Sequence, residues 1–229
     1  MLASPTPPTR PPDRATEAIY AYVKARILAG DYAPNTQVLQ ETIAAETGFS
    51  RTPIREAIIR LEQEGLVRVV PRHGIEILAM SPADNREIYE ILACLEPKAV
   101  ALLTARRPSR DDVARLLGAC DAMEAALVDD DRLAWARADE DFHRSLAELC
   151  GNRRLHGLIM SFWDQSHRVR MFTLRLRPRP DESTREHRQV TEAILAGDVE
   201  RAQRLYRLHR ERAQEALLQI IEDYGLKRL

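Results

Sequence analysis

Nearly all apolar residues of this 229-residue chain recur with the spacing of an α-helix, and one short segment departs from it. From Asp84 onward the period is helical throughout, whereas residues 66–70 and 75–78 have the pattern of two strands joined by a turn at 71–74. Ser81-Pro82 interrupts the chain between the two regions. We therefore predict a mainly α fold, with helices and a small β-hairpin in the N-terminal part and a C-terminal all-α antiparallel bundle.

Proline, glycine and acidic clusters divide the chain further. Residues 1–12 contain five prolines and are predicted to form a disordered tail, residues 13–80 a first domain and residues 81–229 a second. In the first domain, helices are predicted over 15–30 and 39–47, and a third is capped by Ser50 or Thr52 and ends near Gly65. In the second domain, about six helices are predicted over residues 84–106, 109–128, 131–150, 153–174, 181–196 and 198–224.

Composition excludes several classes of protein. Lys and Arg number 34 against 35 Asp and Glu, a net charge of −1, which excludes a histone-like protein that binds DNA through bulk charge. The cysteines Cys94, Cys120 and Cys150 are far apart, so neither a disulfide framework nor a thiolate zinc site is indicated. The sequence has no apolar run near the ~20 residues of a membrane span and no signal-peptide core. A cytoplasmic protein is expected.

The predicted order of helix, helix, tight turn, helix and hairpin is that of a winged helix-turn-helix, in which the third helix enters the major groove of DNA. Its apolar rear consists of Ile54, Ala57, Ile58 and Leu61. Its polar front consists of Ser50, Arg51, Thr52 and Arg55. Arginine can bind guanine or phosphate, and the hydroxyls can bind phosphate or base edges. Any single arginine is more often part of a solvated helix face, but the combination with a basic hairpin tip, formed by Arg72, His73 and Gly74, indicates double-stranded DNA as a partner.

The same segment carries a family resemblance. SRTPIREAIIRLEQEGLV, residues 50–67, together with Leu39-Gln-Glu41, Thr47-Gly48 and the turn 71–74, closely resembles the winged helix of the GntR family of transcriptional regulators. The resemblance implies that Arg51, Thr52 and Arg55 contact DNA and that the wing tip around His73 and Gly74 assists. It also implies a homodimer on a pseudo-palindromic operator, with repression as the commoner outcome.

Four polar residues of the bundle could bind a metal. Asp139 and His143 are one turn apart on one helix, on the flank of its apolar stripe, while His187 and His209 lie beside apolar residues of two other helices. Imidazole and carboxylate ligands suit Zn, Ni, Fe or Mn. A lone histidine that faces a core is more often a hydrogen-bonded core residue, so the residues alone leave both interpretations open.

A second resemblance bears on this choice. The segment Asp139 to His143, then Cys150-Gly-Asn152, Glu186-His187, Gly197-Asp198 and His209 resemble, in order and spacing, the FCD domain, the all-helical effector module of the FadR subfamily. The resemblance makes Asp139, His143, His187 and His209 the ligands of a divalent metal ion. It also implies a small organic acid as the effector.

One position departs from the family pattern. Many members carry an arginine where this chain has Leu92, and that arginine helps to bind a carboxylate of the effector. Replacement contacts are predicted from His167, Arg168 and Arg170. These four positions are the candidate effector-binding residues, and the identity of the effector is open.

Three functions are compatible with these features. We expect a regulator, not an enzyme, in which an organic acid occupies the open position of the metal and changes the affinity for DNA. One alternative is a metal-sensing regulator, or one in which the ion is only structural. Another is a helical metallohydrolase, in which the ion activates water. No separate general base accompanies the motif, since Glu140 and Asp141 are expected to point away from the side of the helix that bears Asp139.

Overall fold

The computed structural model describes residues 12–71 and 73–225, which form two compact units divided between Ala79 and Met80. The division falls one residue before the predicted end of the first domain. Residues 1–11 of the predicted tail lie outside the described residues, and Pro12, assigned to that tail, instead begins the first helix. Proline is well placed there, because the first turn of a helix needs no N–H from it.

The first unit combines three helices with a small antiparallel sheet. Its elements are α1 (Pro12–Leu28), β1 (Gln37–Val38), α2 (Gln40–Thr47), α3 (Arg51–Gln63), β2 (Val67–Val70) and β3 (Gly74–Ile77). The sheet has the order β1-β3-β2, so the predicted hairpin is present as β2 and β3, and a third strand pairs with its other edge. The core is formed mainly by α1, α3 and the sheet, through Ile19, Val23, Ile27, Ile54, Ile58, Leu61, Leu66, Ile75 and Ile77.

The turn between α2 and α3 is set by two residues. Gly48 has a φ of 73° and donates its N–H to the carbonyl of Ala44, which ends α2 in a left-handed cap. Ser50 has an extended backbone, and α3 begins at the next residue with Pro53 in its first turn. The turn therefore presents the start of α3 at the surface of the unit.

Gly74, at the start of β3, is required by the sheet itself. Its φ is 80°, and a Cβ atom at this position would lie 2.2 Å from the carbonyl oxygen of Val38 in β1. A side chain would therefore meet rigid backbone as well as an unfavourable φ. The backbone therefore approaches closely at Gly74 within the protein itself, between two strands.

The second unit consists of helices, as predicted. They are α4 (Pro82–Ala105), α5 (Ala114–Val128), α6 (Arg132–Leu149), α7 (Arg153–Thr173), α8 (Asp181–Leu195) and α9 (Val199–Asp223). The prediction was wrong about the start of α5, which lies five residues later than residue 109. Ser109 and Asp112 instead bond each other's side chains and backbone N–H groups, which forms a turn over these residues. No helix in the described ranges is both long and apolar enough to cross a membrane.

Side-chain caps fix where several bundle helices begin. Ser81 and Asp84 form a capping box at α4. Asp131, Asn152 and Asp198 accept backbone N–H groups at the starts of α6, α7 and α9. The helices enclose a core that includes Leu92, Phe142, Leu146, Ile159, Trp163, Val190, Ile194 and Tyr206. The four predicted metal ligands, Asp139, His143, His187 and His209, are buried within this unit.

Candidate functional site

Three histidines meet in the centre of the bundle. His143 of α6, His187 of α8 and His209 of α9 each place a ring nitrogen within 4.8 Å of the other two. Their exposed fractions are 2%, 0% and 2%. The helices thus bring together three imidazoles that are far apart in the sequence.

Asp139, one turn earlier on α6, lies beside two of the three histidines. Its Oδ1 atom lies 3.6 Å from Nε2 of His143 and 3.6 Å from Nε2 of His187, and the two Nε2 atoms are 3.3 Å apart. Ligands bonded at about 2.0–2.1 Å to one tetrahedral ion would lie about 3.3 Å from each other. The spacing of these three donor atoms therefore fits a divalent ion such as Zn, Ni, Fe or Mn, and a ring nitrogen of His209 lies within 4.8 Å of those of the other two histidines.

Two of the rings are held by hydrogen bonds on their opposite sides. Nδ1 of His143 lies 2.7 Å from the Tyr206 hydroxyl, and Nδ1 of His209 lies 2.7 Å from Oε2 of Glu186. If each Nδ1 donates its hydrogen, the lone pair of Nε2 is left free for a cation, as is usual for histidine ligands. Among the described residues, Nδ1 of His187 has no hydrogen-bond partner. The orienting groups Tyr206 and Glu186 were not identified from the sequence.

The electrostatics favour neutral rings beside a charged carboxylate. Burial lowers the pKa of His143 and His187 to about 3 and that of His209 to about 4. Burial works against ionisation of Asp139, but Arg170 and His143 outweigh it and hold the pKa of this carboxyl well below its usual value. Near neutral pH the group therefore offers three neutral imidazoles and one carboxylate, which is the protonation state that metal binding requires.

Of the four predicted effector contacts, Arg170 reaches the site. Its guanidinium donates to Oδ2 of Asp139 and lies 4.2 Å from the centre of the Trp163 ring. His167 and Arg170 border a space of about 10 Å³, roughly the room for one water. Leu92 is fully buried in the apolar core, and the side chain of Arg168 is outside the described part of the structure.

A buried ion pair beside the histidines was not predicted. Nε of Arg210 in α9 lies 2.8 Å from Oε2 of Glu96 in α4, with exposed side-chain fractions of 2% and 1%. The indole N–H of Trp163 donates to Oε1 of Glu96 at 3.1 Å. Burial raises the pKa of Glu96, while Arg210 and Arg170 act in the opposite direction. The pair joins two helices directly behind His143, whose Nδ1 is 3.8 Å from Glu96.

The residues predicted to bind DNA lie at the start of α3 and in the hairpin turn. Ser50, Thr52 and Arg55 are exposed, as is Arg51, whose guanidinium is 3.3 Å from Glu41 of α2. His73 is exposed in the turn, Gly74 begins β3, and Arg72 is outside the described residues. In contrast, Arg60 on the same helix pairs with Glu17 of α1 and covers the Tyr20 ring. Arg51 and Arg55 thus lie exposed in the first two turns of α3, where the helix N-terminus also attracts phosphate.

Comparisons with known proteins match each of the two units to a known family. Residues 15–77 match the bacterial regulatory proteins of the gntR family, and residues 87–212 match the FCD domain. A transcriptional regulator in the TAR-I ttuE-ttuC′ intergenic region of Agrobacterium vitis is 43% identical over 131 residues, 56% of this chain and 77% of its own length. The transcriptional repressor GlaR of Escherichia coli K12 is 28% identical over 202 residues, 83% of this chain and 90% of the repressor. The fold resembles E. coli McbR/YncC with a TM-score of 0.78 at 20% identity, covering 90% and 97% of the two chains.

Proposed function

Because the chain belongs to the GntR family of DNA-binding transcriptional regulators and carries an FCD domain, we propose that it is a repressor controlled by a metal-bound carboxylate effector. The matched families and relatives are transcriptional regulators and not enzymes, which argues against the metallohydrolase alternative. As a regulator of bacterial genes, it acts in the cytoplasm, where the DNA is.

The proposed DNA contacts are Ser50, Arg51, Thr52 and Arg55 of α3, assisted by Arg72, His73 and Gly74 of the wing. The support for this assignment is the exposure of Ser50, Arg51, Thr52 and Arg55 at a helix N-terminus, where backbone N–H groups also attract phosphate. A homodimer would present two such helices to the half-sites of a pseudo-palindromic operator.

Replacing Arg51 with alanine is expected to weaken operator binding by about 1–3 kcal/mol, because a forked contact to a base or phosphate is lost. The duplex is first selected from a random library with the wild-type protein, and affinity is measured by fluorescence anisotropy. Arg115→Ala removes the same charge from an exposed ion pair of the second unit and serves as the control. Equal affinity of Arg51→Ala and wild type would refute the role of Arg51.

The observation that carries the sensing half of the proposal is the convergence of His143, His187 and His209 beside Asp139. When bound, the ion would supply a Lewis-acidic position for an oxygen of the effector. Arg170 is the proposed second contact to the effector carboxylate, since its guanidinium already lies against the carboxylate of Asp139. The adjoining space holds about one water, so an effector would have to displace Arg170 or His167.

The test measures operator affinity for two preparations, the chelator-treated protein and the protein loaded with Zn, Ni, Fe or Mn. Each preparation is measured without and with added acetate, lactate or citrate. We expect a carboxylate to lower operator affinity roughly 5- to 150-fold, and only in the metal-loaded protein. If metal alone produces the change and the acids add nothing, the chain is a metal-sensing regulator. If neither alters affinity while the ion raises the melting temperature, the ion is structural and the sensing proposal is wrong.

A further inference from the structure

A larger cavity lies at the end of the bundle where α6 begins and the segment after α7 turns back, and it shares Trp135, Leu174 and Arg177 with the small space beside Arg170. Its volume is about 160 Å³, and none of the four proposed metal ligands lines it. Trp135, Leu174, Ala213 and Ala216 form an apolar wall. The Trp135 indole is fixed by a 2.9 Å hydrogen bond to Thr184, so this wall is preformed.

The rest of the lining is strongly positive. Four arginines border the cavity against a single acidic residue, Glu182, and they are Arg132, Arg177, Arg179 and Arg212. Arg179 pairs with Asp181, and Arg212 pairs with Glu186. Arg132 donates to the backbone carbonyl of residue 177, at 2.6 Å. In the part of the chain that the structure describes, neither Arg132 nor Arg177 has a carboxylate partner.

Among the four arginines, Arg177 provides the strongest argument for a bound anion. It is half-buried, its guanidinium donates to the neutral hydroxyl of Thr173 at 3.2 and 3.1 Å, and it also hydrogen-bonds the side chain of Tyr89. Burial lowers the pKa of Arg177, while Tyr89 and Asp139 act in the opposite direction. Burial makes the charge of Arg177 costly, and an anion bound in the cavity would offset that cost.

We propose that this cavity binds a small organic monoanion with an apolar body of about one ring, its carboxylate facing Arg177 and Arg132 and its body against Trp135. The size follows from volume, because an apolar cavity of about 150 Å³ in another protein accommodates benzene. The charge follows from the excess of arginine. The inference goes beyond the proposed effector at the metal, since it requires no ion.

The cavity is also linked to the metal site through one carboxylate. Arg212, in the cavity wall, donates to Oε1 and Oε2 of Glu186, and the same Glu186 accepts from Nδ1 of His209. Trp135 lies one turn before Asp139 on α6. A ligand that draws Arg212 away from Glu186 would therefore loosen the group that orients His209.

The experiment titrates benzoate into full-length, chelator-treated protein by isothermal titration calorimetry. Benzyl alcohol tests the need for charge, and acetate tests the need for the apolar body. We expect saturable binding of one benzoate per chain, and binding at least about 10-fold weaker for both comparison compounds, since each loses one of the two recognition elements.

Variants separate the cavity from the rest of the bundle. Arg177→Gln is expected to weaken benzoate about 10-fold or more, whereas Arg115→Gln, on the outer surface, should leave it unchanged. Ala213→Leu fills the cavity without changing charge, which keeps the test decisive if Arg177→Gln fails to fold. The absence of benzoate binding to wild type, or wild-type binding by folded Ala213→Leu, would overturn the inference. Benzoate binding that requires added metal would also overturn the inference. Operator affinity that is unchanged by carboxylates would count only against the proposed metal-bound effector.

Discussion

Replacing His187 with alanine is expected to abolish stoichiometric binding of a divalent ion by the chelator-treated and reloaded protein. Loss of a group that merely orients a ligand weakens metal binding about 10- to 100-fold, so loss of a ligand should weaken it at least about 100-fold. His187 is fully buried, and its Nε2 faces both His143 and Asp139, so no exposed residue can take its place. Metal content is measured by inductively coupled plasma mass spectrometry and affinity by competition with a chelating dye.

Two sets of variants make the result specific. His156→Ala removes a partly exposed histidine of α7 and should leave metal affinity unaltered. Tyr206→Phe and Glu186→Gln should reduce it by the smaller, roughly 10- to 100-fold amount, because they remove partners of Nδ1 and leave every ligand in place. One tightly held ion in both His187→Ala and His209→Ala would contradict the ligand assignment.

Replacing Glu96 with alanine is expected to destabilise the helical unit by about 3–5 kcal/mol. Arg210 would then be left buried without a counter-ion, and such a charge costs far more than the pair contributes while both partners are present. For a domain of this size the change corresponds to a fall in melting temperature of roughly 6–20 °C. Differential scanning calorimetry of the chelator-treated protein measures it without interference from metal.

The matched control is Glu148→Ala, which breaks the exposed pair between Arg115 and Glu148. Its expected cost is below about 1 kcal/mol, because solvent screens both charges. The double variant Glu96→Leu with Arg210→Met should recover much of the stability, since it removes both charges and retains apolar volume. A melting temperature for Glu96→Ala within a degree of the wild type would show that Arg210 does not need Glu96 as its counter-ion.

The sequence was sufficient for elements with a strong local signal. The helices of the second unit were predicted from their apolar period, and four of the six begin at a side-chain cap, which is Ser81, Asp131, Asn152 or Asp198. Strand β1 was missed because two residues, Gln37 and Val38, are too short to show a period, and their pairing with β3 is a tertiary contact.

In the candidate site, too, features with a local sequence signal were predictable and contacts between helices were not. The one-turn spacing of Asp139 and His143 is visible in the sequence, and the family resemblance adds His187 and His209. The groups around them were not predictable, because Glu96 and Arg210, or Glu186 and His209, become neighbours only when different helices pack. Arg170 was predicted as an effector contact, but nothing in its local sequence indicated that it would lie against Asp139.

The cap at Asp131 also bears on how such a chain can change length during evolution. Because the cap fixes the first residue of α6, a residue inserted between it and Asp139 would rotate the rest of the helix by about 100° and carry Asp139 and His143 away from the other histidines. An insertion just before the cap would lengthen a surface loop and leave the helix as it is. Insertions and deletions that survive selection should therefore accumulate ahead of the cap, and the first two turns of α6 should keep a constant length.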